Sequence, residues 1–302
     1  SISQILNSLE DPILKKYSSK WIKDILTGVF TPVWIKEIIS SQFDADRLDY
    51  LLRDAYMCGV KYAGFDWQWL FHNMFIGEIK SQHRHAILFD GNKGIHSLES
   101  FVVSRYHMYE QVYFHKTTRG FEAIVNSIFK RLNYLIQEKR IDDGYFLGNN
   151  FSNFLQDYES IDDYLRLDDY YMTTHFNHWT SYSKDGILKE LCLAFINRQP
   201  FKLLKTMKSE NFDVRELNEI QDVYKNKLGA EQYEYYFLVD DYKNNPYKDS
   251  YLLGKKSAEA SELIWLKKGK EIQELSNLSM IINALRNNEF KVTRFFVNRN
   301  YV

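Results

Sequence analysis

Four prolines and 13 glycines in 302 residues leave long stretches with nothing to interrupt a helix. A many-turned all-β fold needs turn formers at most of its corners, so this scarcity points to a mostly α chain. The apolar spacing agrees: Ile5, Leu6 and Leu9, then Ile22, Ile25, Leu26 and Phe30, recur at helical intervals, with breaks at Gly28, Pro32 and Gly59. Residues 121–139 and 187–207 carry the same amphipathic pattern. Ser97, with Glu99 and Ser100 just after it, has the chemistry of an N-cap opening a helix that reaches Thr118.

Two regions read differently. His85 to Phe89 is a short apolar run followed by the turn formers Asp90-Gly-Asn-Lys-Gly94, which predicts a small β-hairpin. Beyond Lys208 to Asp213 the composition shifts. Tyr233 to Val239 and Leu263 to Leu266 are short β-rich runs around the polar loop Asp240 to Asp249, with a helix at Ser276 to Leu285 and a last strand at Lys291 to Val297. The expected organisation is a helical domain over 1–208 and a small C-terminal α+β module over 209–302.

Composition removes several classes of function. The 39 Lys and Arg balance 40 Asp and Glu, so no net field favours nucleic acid or a membrane surface. A basic tint at Lys255, Lys256, Lys267, Lys268, Arg294 and Arg299 fits a regulatory nucleotide, single-stranded nucleic acid or simply a solvated face. Cys58 and Cys192 are too few for a disulfide framework and lack metal-ligand spacing, so both read as buried free thiols in a cytoplasmic protein. No run approaches the ~18 apolar residues of a membrane span, and Ser1 to Pro12 lacks the pattern of a signal peptide. The doublets Asp142-Asp143, Asp162-Asp163 and Asp168-Asp169 read as solvated helix ends. His83 and His85 read as exposed hairpin residues, and His175 and His178 as packing around Trp179.

The chemistry concentrates in two segments. In Ser40 to Asp54, helical spacing puts Asp46, Tyr50 and Asp54 within about 80° of one another, with Arg47 and Arg53 flanking them. The plain alternative is a surface helix braced by an Asp49–Arg53 pair. In Ser104 to Lys116, the same arithmetic puts Arg105, Tyr109, Tyr113 and Lys116 on one stripe. Two cations and two rings can hold phosphates and stack a sugar or base, although aromatic stripes also build cores.

These segments, Ser40-Ser-Gln-Phe-Asp-Ala-Asp-Arg-Leu-Asp-Tyr-Leu-Leu-Arg-Asp54, Gly59-Val-Lys-Tyr-Ala-Gly-Phe-Asp66 and Glu99-Ser-Phe-Val-Val-Ser-Arg-Tyr-His-Met-Tyr-Glu-Gln-Val-Tyr-Phe-His-Lys116, resemble the HD-domain deoxynucleoside triphosphate triphosphohydrolases. Leu165 to Asp169, Trp179 and Asn197 to Lys202 extend the likeness more weakly. The resemblance implies an HD-domain-like helical bundle and cleavage of a dNTP to a deoxynucleoside and tripolyphosphate beside a bound Mg, Mn, Fe or Co ion. It implies Asp46 as a metal ligand and Arg47 and Arg105 as phosphate contacts. Tyr50 becomes a substrate wall, Asp54 the acceptor of the sugar 3′-hydroxyl, and Tyr113 the ring against the deoxyribose, with Tyr109 and His115 in the same motif. It further implies a homo-oligomer, dimer or tetramer, and a regulatory nucleotide.

The family's remaining ligands, a His and a His-Asp pair, precede this motif, whereas the first histidine here is His72. The chain is therefore expected to begin inside the HD domain, to hydrolyse nothing alone, and to leave Leu48, Leu51 and Leu52 bare. Two other readings stand beside the enzyme: a non-catalytic regulatory subunit that binds nucleotide or nucleic acid, and an HD phosphodiesterase or nuclease.

Overall fold

The computed structural model describes residues 21–27, 29, 32–142, 144–148, 150–156, 160–208, 213–248, 263–286 and 290–302. Most of these residues are helical, as the scarcity of breakers requires. In chain order the elements are α1 (Trp34–Ile39), α2 (Ala45–Cys58), α3 (Trp67–His72), β1 (Met74–Ile79), β2 (Arg84–Asp90) and α4 (Ile95–Met108). A π-helical turn, Tyr109–Tyr113, continues α4. Then follow α5 (Lys116–Gln137), α6 (Asn150–Gln156), α7 (Ile161–Leu165), α8 (Asp169–Tyr182), α9 (Gly186–Ile196), β3 (Lys202–Lys208) and α10 (Val214–Tyr236). The chain closes with β4 (Phe237–Asn244), β5 (Trp265–Lys268), β6 (Glu271–Glu274), α11 (Leu275–Leu278), α12 (Met280–Leu285) and β7 (Phe290–Val297).

Two compact units result, and their boundary is not the one that composition suggests. The first takes the described residues up to Tyr113 together with those of Asn244–Glu289; the second takes Phe114–Lys243 and Phe290–Val302. Position 208 falls inside the second unit because β7 returns to pair antiparallel with β3, Met207 opposite Thr293, in the sheet β3-β7-β4. The first unit has its own sheet, β1-β2-β5-β6, in which β2 and β5 run parallel.

In the first unit, α2 begins where Asp44 accepts from the Arg47 amide and ends at Gly59, whose φ of 67° suits a residue without a Cβ. Leu48, Leu51 and Ala55 recur at helical spacing and are buried with Phe43, Phe89, Leu98, Phe101 and Leu266. Phe43 packs edge-on against Phe89 and Phe101 with ring centroids 4.9 and 5.0 Å away. The expectation that Leu48, Leu51 and Leu52 lie bare is thus overturned: Leu48 and Leu51 are buried, Leu52 packs on the same cluster, and α4 and residues 264–282 supply the cover.

Several local expectations shift for identifiable reasons. A hairpin forms, but its strands are β1 and β2 and its turn is at residues 80–83, where His83 takes a left-handed φ of 49°. The turn formers at 90–94 instead lead into α4, Asp90 accepting from the amides of Asn92 and Lys93. The helix expected from Ser97 to Thr118 starts at Ile95 and ends in the π-turn; His115 is extended and caps α5. The helix expected over 187–207 ends at Ile196, ahead of Pro200, and resumes as β3. The helix expected over Ser276–Leu285 is two short helices parted at Ser279.

The loop expected from Asp240 begins instead as strand β4, which alternates inward and outward to Asn244. Its inward carboxylate, Asp240, reads as loop chemistry but is buried and held by the guanidinium of Arg119. Polar sequence and buried strand are compatible once the charge is paired.

The second unit is built on the apolar stripe of α5, with Ile124, Ile128, Leu132 and Leu135 buried against Trp179, Leu188, Leu191 and Phe295. Trp179 donates to the Tyr145 carbonyl at 2.7 Å. Two of the three acid doublets mark helix starts, Asp162 and Asp163 lying in the first turn of α7 and Asp168 capping α8, whereas Asp142 stands outside a helix and accepts from the Tyr182 hydroxyl at 2.8 Å, and Asp143 lies outside the described residues. Of the two thiols only Cys192 is buried, its pKa pushed up to about 12 by burial, whereas Cys58 at the end of α2 is exposed.

His175 is buried in this core rather than aimed at a ligand. Its Nε2 accepts from the Leu147 amide at 3.0 Å, so its proton sits on Nδ1, which donates to the Tyr171 carbonyl at 2.9 Å. Burial lowers its pKa below 6.5. The unfolded chain therefore binds the proton more readily, and the stability this histidine contributes is present above about pH 6.5 and lost as pH falls through its folded value. Melting temperatures measured at pH 7.5 and pH 5 should show this loss, and a His175→Gln chain should lack that component; an equal pH dependence in both would contradict it.

Candidate functional site

The residues singled out on α2 and α4 meet in the first unit. Tyr113, on the π-turn, donates its hydroxyl to Asp54 at 2.7 Å. The hydroxyls of Tyr50 and Tyr109 stand 3.4 Å apart. The Tyr113 ring lies edge-on to Tyr50 at 6.0 Å and to Tyr109 at 5.1 Å, and the Arg105 guanidinium sits 5.6 Å from the centre of the Tyr109 ring. Five of the expected residues, Tyr50, Asp54, Arg105, Tyr109 and Tyr113, thus form one continuous wall.

Helical geometry explains the meeting. On α2, Tyr50 and Asp54 are four residues apart, next to the buried Leu51 and Ala55. Arg105 on α4 and Tyr109 at the start of the π-turn are also four apart, and the π-turn carries Tyr113 forward on the same side. The outer face of α2 holds the plain alternative at the same time: Asp49 and Arg53 pair at 3.0 Å, both exposed. One helix therefore serves both readings, on adjacent faces about 100° apart.

The wall carries two guanidinium groups, and two phenols whose pKa values are shifted. Arg105 makes no salt bridge among the described residues. Its pKa is lowered, first by burial and then by the second guanidinium, Arg47. Arg47 is itself anchored by Asp44 and by the Ser41 carbonyl. Burial raises the pKa of Tyr50, and burial together with the bond to Asp54 raises that of Tyr113, so both phenols stay protonated and can donate.

The remaining expected residues stand elsewhere. Asp46 is exposed in the first turn of α2. Among the described residues no group of three or more His, Cys, Asp or Glu side chains converges to hold a metal ion, so the metal implied by the resemblance does not fit the residues described. His115 belongs to the second unit, where its Nδ1 accepts from the Thr117 amide at 3.3 Å. Lys116 is the first residue of α5, so the stripe expected from Arg105 to Lys116 stops at Tyr113. His83 and His85 are exposed, and His178 donates to the Gly144 carbonyl at 3.0 Å. Lys255 and Lys256 lie outside the described residues. Arg294 bonds the Phe114 carbonyl and the Tyr242 hydroxyl, and Arg299 the Pro200 carbonyl, so these two cations brace the fold. A cavity of about 800 Å³ in the second unit, lined by Phe121, Val125, Phe195 and Arg198 among others, contains none of the wall residues.

Sequence reasoning missed the residues that support the wall. Asp44 orients Arg47 and caps α2; its N-cap chemistry three residues before Arg47 was legible. Gln42 exchanges two hydrogen bonds with the Lys248 backbone, at 2.6 and 2.9 Å, across 206 positions of sequence. No local pattern could reveal that partner.

Comparison with known proteins agrees with this architecture. An uncharacterized protein of Bacillus subtilis, YwfO, is 32% identical over 279 residues, covering 90% of this chain and 60% of that protein. The uncharacterized protein MG461 of Mycoplasma genitalium is 28% identical over 270 residues, covering 87% of this chain and 59% of that one. The chain thus spans about 60% of the length of these curated relatives. Among solved structures, a phosphohydrolase from Bacteroides thetaiotaomicron superposes with a TM-score of 0.75 at 22% identity, over 99% of this chain and 70% of that one. A hypothetical protein from Aquifex aeolicus gives 0.67 at 24% identity, over 98% and 68%. These two likenesses show a shared fold. No helix among the described residues is long and apolar enough to cross a membrane. The pattern that defines the HD associated region matches residues 72–232, more than half of the chain and inclusive of α4 and the π-turn, and the protein therefore belongs to the HD-associated-region family.

Proposed function

We propose that this chain is part of an HD-type phosphohydrolase and that its wall binds a deoxynucleoside triphosphate, which the full-length protein cleaves to a deoxynucleoside and tripolyphosphate. The observation that carries the reading is Arg105: a guanidinium set against Tyr109, unpaired with any carboxylate among the described residues, and close enough to Arg47 for the two to repel. Arg47 already has the Asp44 carboxylate, whereas Arg105 has none among the described residues, and a polyphosphate would supply its anion through charge-assisted hydrogen bonds. The solved phosphohydrolase of the same fold and the motif resemblance support the hydrolase class. The resemblance also supports a homo-oligomer and a second, regulatory nucleotide.

Within that reading each residue has a task it can perform unaided. Arg47 and Arg105 hold the phosphates. Tyr50 and Tyr109 supply ring faces and hydroxyls. Asp54, already accepting from Tyr113, has a second oxygen to accept from a sugar hydroxyl. Tyr113 stands where it can crowd a 2′-substituent. Because the described residues do not assemble a metal site, no step of the reading runs through a metal.

Equilibrium binding of each of the four dNTPs to the full-length protein tests the proposal. Arg105→Ala is expected to weaken binding by tenfold or more, the value of one charge-assisted contact. Unchanged affinity in the variant would refute the phosphate role.

A further inference from the structure

A π-helical turn closes its backbone bonds one residue wider than an α-helix, and it persists where surrounding contacts hold it. Here such a turn stands at the site itself, with Tyr109 at its first position and Tyr113 at its last. Between them, Glu110 accepts a hydrogen bond from Nδ2 of Asn244 at 2.9 Å. Asn244 is buried, ends β4, and begins the segment that belongs to the first unit.

That segment is tied at both ends to elements that carry the wall. Four residues on, the Lys248 backbone makes its two bonds to Gln42, just before the cap of α2. Between the two ties, Tyr247 is buried, with its hydroxyl on Glu274. Residues 244–248 therefore form a strap that grips the approach to α2 at one end and the π-turn at the other. Neither tie touches the wall residues directly.

We propose that Asn244 is a positioning residue which, by holding Glu110, fixes the π-turn and thereby the reach of Tyr109 and Tyr113 toward the sugar of a bound nucleotide. The inference rests on the nucleotide reading of the site. Loss of the bond lets the turn relax, and the aromatic side chains at its two ends then lose their register with Tyr50 and Asp54.

The test uses the full-length protein and two readouts. The first is the ratio of kcat/KM for a dNTP over the matching rNTP. The second is amide hydrogen exchange across residues 108–114. Asn244→Ala is expected to lower the ratio at least fivefold, chiefly through KM, and to speed exchange at least tenfold in that stretch alone. Glu110→Ala should match it, the double variant should add nothing further, and Glu110→Gln, which keeps the acceptor, should retain both values. An unchanged ratio in Asn244→Ala, with or without a general loss of stability, would overturn the proposal. Should Asn244→Ala fail to fold, Glu110→Ala decides by the same criteria. If the wild-type protein turns over no nucleotide, the nucleotide reading falls and the positioning role falls with it; exchange that is faster only at 108–114 would then show the clasp alone.

Discussion

Replacing Asp185 by alanine is expected to destabilise the second unit by about 3–5 kcal/mol, the cost of stripping a buried guanidinium of its main partner. Arg131 is only 3% exposed, and Asp185 meets it with two bonds, at 3.0 and 2.6 Å. Its other acidic partner, Glu231 at 2.9 Å, is 62% exposed and screened by water. Removing Asp185 leaves the arginine that weak contact and the faces of Tyr134 and Tyr235, each ring centre 4.9 Å from the guanidinium. It also removes the N-cap of α9, where the same carboxylate accepts from the Leu188 amide at 2.8 Å. Glu231→Ala should cost far less. Urea unfolding of the two variants separates the cases, and a change below about 1 kcal/mol for Asp185→Ala would show that Arg131 finds water or another partner.

If the wall binds the deoxyribose as proposed, Tyr113→Ala is expected to relax discrimination against ribonucleotides on the order of a hundredfold in the ratio of kcat/KM values, because removing the ring would open the space a 2′-hydroxyl needs. The same substitution frees Asp54 from its 2.7 Å bond, so dNTP turnover itself should fall by a smaller factor as the carboxylate loses its fixed direction. Tyr113→Phe separates the two effects: it keeps the ring and the selectivity but loses the hydroxyl. A Tyr113→Ala enzyme with an unchanged dNTP-to-rNTP ratio would remove the sugar from this part of the wall.

The features legible in the sequence were those set by local periodicity. Asp54 on α2, Arg105 on α4 and Tyr109 at the start of the π-turn follow from residues four apart along helical backbone, and the wall they form was foreseeable from two motifs. The features that were not legible depend on distant partners. Asp240 looks like loop until Arg119 pairs with it, and the second half of β4, from Asp240 on, looks like a polar loop until β7 lies beside it. The break after Tyr113 had no proline or glycine to announce it, which is why one helix was expected where a π-turn and a second helix stand. The division into units escaped for the same reason: β7 and the described residues 244–248 and 263–286 each pack against elements far back in the chain. Composition, read along the chain, reports the shift near 208 but not the direction in which the strands return.

Metal binding is the part of the resemblance for which the described residues give no support. Asp46 stands on the motif position yet belongs to no group of three or more His, Cys, Asp or Glu side chains among the described residues. The wall and the metal are therefore separate questions, and the first can be tested whatever the answer to the second.

The most direct test of the central claim is ion chromatography of the products formed when the full-length protein is incubated with each dNTP. The expected products are deoxynucleoside and tripolyphosphate in equal amounts, with release greatly reduced in Arg105→Ala. Pyrophosphate with a deoxynucleoside monophosphate, or single phosphates, would contradict the claim, because the bond between the sugar 5′-oxygen and the α-phosphorus would then have remained intact.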